Sequence, residues 1–184
     1  MKGIWQAAAW LVFANLALAA ERDPFYAWKS PEIGRGIFTQ DLGMLDSERD
    51  EYATNLAVHA ANVVVVNRFS GKSLMEARRL LALAFHLSPR NKKAVVLNYQ
   101  LGRSIIPEAK PGDYSPEVFA RIILTRGQLL LKQPGEQNQI AGRFFIQLAA
   151  ELDPRNDDAV YASEVQRLDG GALKWETITD VKSD

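Results

Sequence analysis

Leu87-Ser88-Pro89-Arg90-Asn91 returns as Leu152-Asp153-Pro154-Arg155-Asn156. The likeness extends on both sides. Ala77, Leu81 and Ala84 are matched by Gly142, Ile146 and Ala149, and Ala94 by Ala159, each pair 65 residues apart without a gap. Self-similarity at a fixed spacing marks a supersecondary unit used more than once. Small residues at these positions let a neighbouring helix approach, and the large residue between them fills the space. Proline then ends the helix and sets the turn, and asparagine caps the helix that follows.

Working outward, apolar periodicity predicts six helices and an all-α fold. The first starts near Asp46 or Ser47, with Ser47 as cap, and buries Tyr52, Leu56, Ala60 and Val63. The second starts at Ser73 with Glu76 as its capping box, carries Leu74, Ala77, Leu81 and Ala84, and stops at Pro89. The third covers about 91–104, and Pro107, Pro111 and Gly112 make 105–114 a loop. Ser115 and Pro116 open a fourth helix reaching about Lys132. The fifth spans about 136–152, and the sixth about 157–168, before Gly170-Gly171. Before this body, 20–45 reads as an extended arm that packs its aromatics on it. After it, 170–184 is a tail in which Trp175 to Thr179 has strand-like composition.

At the repeated residues the sequence resembles the tetratricopeptide repeat family. The match covers the second helix of each unit, the proline turn and the start of the next helix, about 77–102 and 142–168. The first-helix halves match poorly, and the 65-residue separation is near, not equal to, twice that family's repeat length of about 34. The resemblance implies a stack of about three antiparallel helix pairs, 46–88, 91–132 and 136–168, within a domain 46–169. A generic helical bundle is the competing reading.

The first twenty residues read as an address. Lys2 is the only charge before Glu21, Ile4 to Ala20 is apolar but for Gln6 and Asn15, and Ala17-Leu18-Ala19 ends the stretch with small residues. This pattern predicts a secretory signal, 1–19, cleaved after Ala19 or Ala20, with a retained membrane anchor as the rival. Export without cysteine suits a bacterial envelope protein. The expected location is therefore secreted or periplasmic, with membrane contact only through the signal during export.

Composition narrows the chemistry. The 22 basic residues balance 22 acidic ones, which argues against a polybasic nucleic-acid binder. With no cysteine there is no thiol nucleophile, disulfide or thiolate metal site. Gly71-Lys72-Ser73 ends like a phosphate-binding loop, but the glycine required five residues earlier is Val66. His59 lacks a histidine one turn away and reads as partly buried; His86 suits the negative end of a helix. Glu48, Asp50 and Glu51 suit a helix's positive end, and Asp153, Asp157 and Asp158 suit turns and caps. No metal, cofactor or catalytic set is expected.

Binding is expected instead. In tetratricopeptide-like arrays the first helix of each pair lines a groove, so the resemblance places Lys93, Val96, Gln100 and Arg103 on an inner face. Asp158, Tyr161 and Val165 form the matching face of the sixth helix. Two cations, an amide and an apolar residue suit an extended acidic peptide or a terminal carboxylate; a solvated helix face has the same spacing. The expected function is a non-catalytic scaffold for a protein or peptide. The alternatives are an envelope assembly factor, and an enzyme with its site on loops 20–45 and 105–115. Oligomeric state is not fixed by these features.

Overall fold

The computed structural model describes residues 27–33, 38, 42–109 and 114–179. The expected signal, and Phe25 and Tyr26 of the arm, lie outside these residues. The described residues form an all-α protein: α1 (Asp46–Val66), α2 (Gly71–Leu87), α3 (Lys92–Gly102), α4 (Pro116–Leu131), α5 (Glu136–Leu152), α6 (Asp157–Gly170) and the short α7 (Glu176–Thr179).

Two hairpins carry most of the packing: α1 on α2 and α4 on α5. Each has a third helix attached, α3 resting mainly on α1 and α6 mainly on α5. The expected pair 91–132 is therefore not a packed hairpin. Eleven-residue α3 stays with the first unit, and the proline-containing connection after it carries the chain to the second. Helices α2 and α5 begin and end 65 residues apart, at 71 and 136 and at 87 and 152. The first helices correspond in another phase: Tyr52, Leu56 and Ala60 of α1 match Phe119, Ile123 and Gly127 of α4, 67 residues on. The two connections, 67–70 and 132–135, are equally long; the two additional residues lie within α1, which runs six residues past Ala60 to Val66 where α4 runs four past Gly127 to Leu131. That shift is why the first helices look unrelated in sequence.

The second hairpin is the closer of the two. A Cβ at Gly127 would stand 2.9 Å from the Gly142 carbonyl oxygen, and one at Gly142 would stand 2.9 Å from that of Gly127. Two glycines thus let the α4 and α5 backbones touch, where α1 and α2 carry the fully buried Ala60 and Ala77.

The two units meet along an aromatic seam. The Tyr52 ring meets Phe119 edge-on at 5.9 Å and Phe145 at 6.0 Å. On one side of it Arg126 pairs with Glu48, its Nε donating to Oε1 at 2.8 Å. On the other, His59 lies 6.0 Å from Tyr114. Rising numbers on α1 meet falling numbers on the α4 side, so these helices run antiparallel. Tyr52 and Phe119, which correspond in the two units, face each other, and the seam is close to two-fold in the way of an isologous interface.

Several ends differ from expectation. Helix α1 starts at Asp46 with Leu45 at the cap position, and Ser47 lies within the helix. Helix α2 starts at Gly71, two residues early, because Ser70 accepts the Ser73 N–H. Val64, not Val63, is the fully buried valine of α1. The strand-like 175–179 is helical: Thr177 and Thr179 hydroxyls donate to the Lys174 and Trp175 carbonyls, both at 2.7 Å, closing a turn that buries Trp175 and Ile178. That turn docks on α2 and is held to the arm by Glu32 N–H donating to the Thr179 carbonyl at 3.2 Å.

Asn91 and Asn156 occupy the same place in the repeat and do different work. Each accepts a backbone N–H three residues on, as a helix cap. The two N–H of the buried Asn91 amide also serve the Thr54 hydroxyl (2.8 Å) and, shared between them, the Asp50 carboxylate (2.9 Å) and carbonyl (3.0 Å), latching α3 to α1. Asn156→Ala should cost about 1 kcal/mol, the worth of a cap. Asn91→Ala should cost more, about 2–3 kcal/mol, because the buried Asn91 amide's tie to Asp50 and Thr54 is lost together with the cap. Urea unfolding of both variants measures the difference; equal losses would remove the latch.

Candidate functional site

Helix α3 has one face on the core and one facing a groove. Ala94, Leu97 and Leu101 are buried against α1 and α2. A groove of about 420 Å³ runs between α1 (Ala57, Val58, Ala61, Asn62), α3 (Lys93, Val96, Leu97, Gln100) and the segment 105–108. The far wall exists because α3 ends abruptly. Ser104 adopts φ 56°, and the Ile105 N–H reaches back to the Gln100 carbonyl at 2.8 Å, a Schellman closure. That turn brings Ile105, Ile106 and Pro107 to the groove with Glu108 beside them.

The four residues expected from the sequence divide. Lys93, Val96 and Gln100 line the groove. Arg103 does not; its guanidinium lies 5.6 Å from the Tyr99 ring centroid. The reason is rotational: at 100° per residue Arg103 falls on the side of Val96 away from the core, outside the arc from Lys93 to Gln100. On α6, Asp158, Tyr161 and Val165 are exposed, with Tyr161 at 73% of its full surface. They are not among the residues that line a groove, and α6 rests mainly on α5, with only a small contact on α4.

The groove is mainly apolar with a few polar groups, as ligand sites are. Val96 remains 45% exposed and Ile106 62% exposed. Among the described residues, the side chains of Asn62, Lys93 and Gln100 have no hydrogen bond or ion pair within the protein. Two amides and an ammonium are thus open to a ligand, beside one carboxylate. The α1 wall and the 105–108 wall were not foreseen, because both depend on a contact between distant segments. The proline at 107 next to two isoleucines was the only signal.

Other polar clusters have structural roles. Arg49 is buried and donates to the Leu87 carbonyl from Nε at 2.9 Å and to the His86 carbonyl at 3.3 Å, closing the C-terminal end of α2. Glu48, expected to serve the helix dipole, also accepts from Tyr52 at 2.8 Å and pairs with Arg126. Burial, followed by the Glu48 contact, pushes the Tyr52 hydroxyl up to about 12. His86 is buried, and its Nε2–H donates to the Ile178 carbonyl at 2.8 Å. No group of His, Asp and Glu among the described residues is arranged to hold a metal ion. No helix among them is long and apolar enough to cross a membrane.

Comparison with known protein families, with characterised proteins and with solved structures found no match.

The seam predicts a pH dependence. Burial lowers the His59 imidazole from 6.5 to about 4. The unfolded chain therefore binds a proton that the folded one refuses between those values. Stability from this residue is full above about pH 6.5 and is lost as pH falls toward about 4, on the order of 3 kcal/mol in all. Unfolding free energies at about pH 7 and about pH 4.5 should differ less in His59→Leu than in the wild type. An unchanged difference would remove His59 as the cause.

Proposed function

We propose that the protein is a tetratricopeptide-like, non-catalytic scaffold of the secreted or periplasmic space that binds an extended segment of another protein. The observation carrying this reading is the groove beside α3, with aliphatic walls, open amides and Lys93 at its margin. An extended peptide leaves its backbone groups unpaired, and Asn62 and Gln100 offer both donors and acceptors to them. From Lys93 to Gln100 the helix rises about 10 Å, the length of about three extended residues. The ligand proposed is a short aliphatic segment with an acidic group or a terminal carboxylate at the Lys93 end.

The repeat supports the same reading. Helix hairpins joined by the Leu-x-Pro-x-Asn turn build a rigid frame, and one attached helix presents its free face. The apolar stretch from Ile4 to Ala20 with its Ala17-Leu18-Ala19 end, read as a secretory signal, supports the location.

Panning a displayed peptide library against the protein tests the proposal. Enriched peptides should carry two or three aliphatic residues flanked by Asp, Glu or a free C-terminus. Lys93→Glu should weaken them tenfold or more, about 1.4 kcal/mol, and shift selection toward a basic flank. Ile106→Asp should weaken them without reversing that preference. Both positions are exposed, so unfolding should move by no more than about 0.5 kcal/mol. Enrichment of peptides insensitive to both substitutions, or of none, would overturn the reading.

A further inference from the structure

Helices α3 and α6 follow the same repeated turn and carry opposite charge. Lys92-Lys93 stands where Asp157-Asp158 stands, 65 residues on. The contrast runs the length of both helices. No acid occurs between Glu76 and Glu108, a stretch with six Lys and Arg, and α3 with its cap residue Arg103 holds three of them. Helix α6 carries four acids, Asp157, Asp158, Glu164 and Asp169, against Arg167, which pairs with Glu164 at 2.7 Å. Lys92 and Asp157 form no ion pair among the described residues.

Each helix also leaves an apolar face open. At 100° per residue, Lys92, Val95, Val96, Tyr99 and Arg103 lie opposite the buried Ala94, Leu97 and Leu101. The corresponding residues of α6, Asp157, Val160, Tyr161, Glu164 and Leu168, lie opposite the buried Ala159. All ten are exposed, Tyr161 and Leu168 each at 73%. Neither helix has a hairpin partner to cover this side: α3 rests mainly on α1 and α6 mainly on α5.

We propose that the α3 face of one copy docks on the α6 face of a second copy of this chain, the two helices parallel with their first turns together. Lys92 then meets Asp157, Val95 meets Val160, Val96 meets Tyr161, and the Tyr99 hydroxyl meets the Glu164 carboxylate. The two faces share one spacing, so a single register matches charge to charge and apolar to apolar. Turned end for end, Lys92 would face Leu168 and Val96 would face Glu164. Pairing α3 with α3, or α6 with α6, would set like charges against each other, which is repulsive. A copy bound through its α3 still offers its own α6. The contact is therefore heterologous, and copies add head to tail into a ring or a chain. Of these residues only Val96 also lines the groove, and the docking does not depend on the groove taking a peptide.

The chain has no cysteine, so disulfides form only between introduced thiols. Full-length chains bearing Val95→Cys are mixed with differently tagged full-length chains bearing Val160→Cys and oxidised mildly. The disulfide joining positions 95 and 160 of two chains should exceed the 95–95 and 160–160 disulfides at least tenfold. Lys92→Glu in the first chain should lower its yield several-fold, and Asp157→Lys added to the second should restore it. Tyr99→Cys with Glu164→Cys repeats the test if either valine variant fails to fold. Equal yields of the three disulfides, an excess of either same-site disulfide, no disulfide at all, or a loss that Asp157→Lys does not restore would each overturn the proposal.

Discussion

Tyr52 is the contact on which the arrangement depends. It belongs to α1, lies against Phe119 and Phe145 of the other unit, and holds the Glu48 carboxylate that pairs with Arg126. A buried aromatic contributes through the area it removes from water and through edge-on geometry with its neighbours. Here one ring does this at the meeting of both hairpins. Each hairpin alone leaves an apolar face uncovered, and a three-helix unit of this length buries too little surface to be independently secure. Joining two units face to face covers both faces, and it sets α1 firmly enough to serve as a wall of the groove.

The same constraint explains the asymmetry between the units. The seam relates them by near two-fold symmetry, yet α3 and α6 settle differently. Asn91 draws α3 onto α1 through Asp50 and Thr54. Position 117, which corresponds to Asp50, is Glu117, whose carboxylate accepts instead from Ser115 at 2.7 Å. Arg121 stands where Thr54 would be. Helix α6 is tied to α5 instead, with Gln166 donating to the Arg143 carbonyl at 3.0 Å. A groove walled by α1 and the 105–108 segment forms beside α3, whereas Ile122, Thr125 and Leu129 of α4 border a recess of about 400 Å³ against Glu48 and Tyr52 of α1. One local hydrogen-bond network therefore decides which helix the third helix of each unit rests on, and with it whether that helix walls a groove.

Much of the fold was legible because its signals are local. The proline turns, the Asn91 and Asn156 caps and the small residues of α2 and α5 each act within a few residues of their position. The groove face of α3 was legible for the same reason: Lys93, Val96 and Gln100 share one side of a single helix. What was not legible depends on distant partners. Glu48 reads as an ordinary first-turn acid until Arg126, 78 residues away, is placed beside it. The grouping of α3 with α1 follows from Asn91 reaching back 41 residues, which no periodicity reveals. Arg103 was misplaced because it is the cap residue just past the end of α3, and spacing alone does not fix where a groove ends.

The central claim is that the two units form one cooperative body through the Tyr52 seam. Native-state hydrogen exchange of the whole protein in increasing low denaturant tests it most directly. The slowest amides of α2 and of α5 should open with the same free energy and the same denaturant slope, as members of one unfolding event. Distinct opening free energies, with the α4–α6 amides exchanging while those of α1–α3 remain protected or the reverse, would contradict the account.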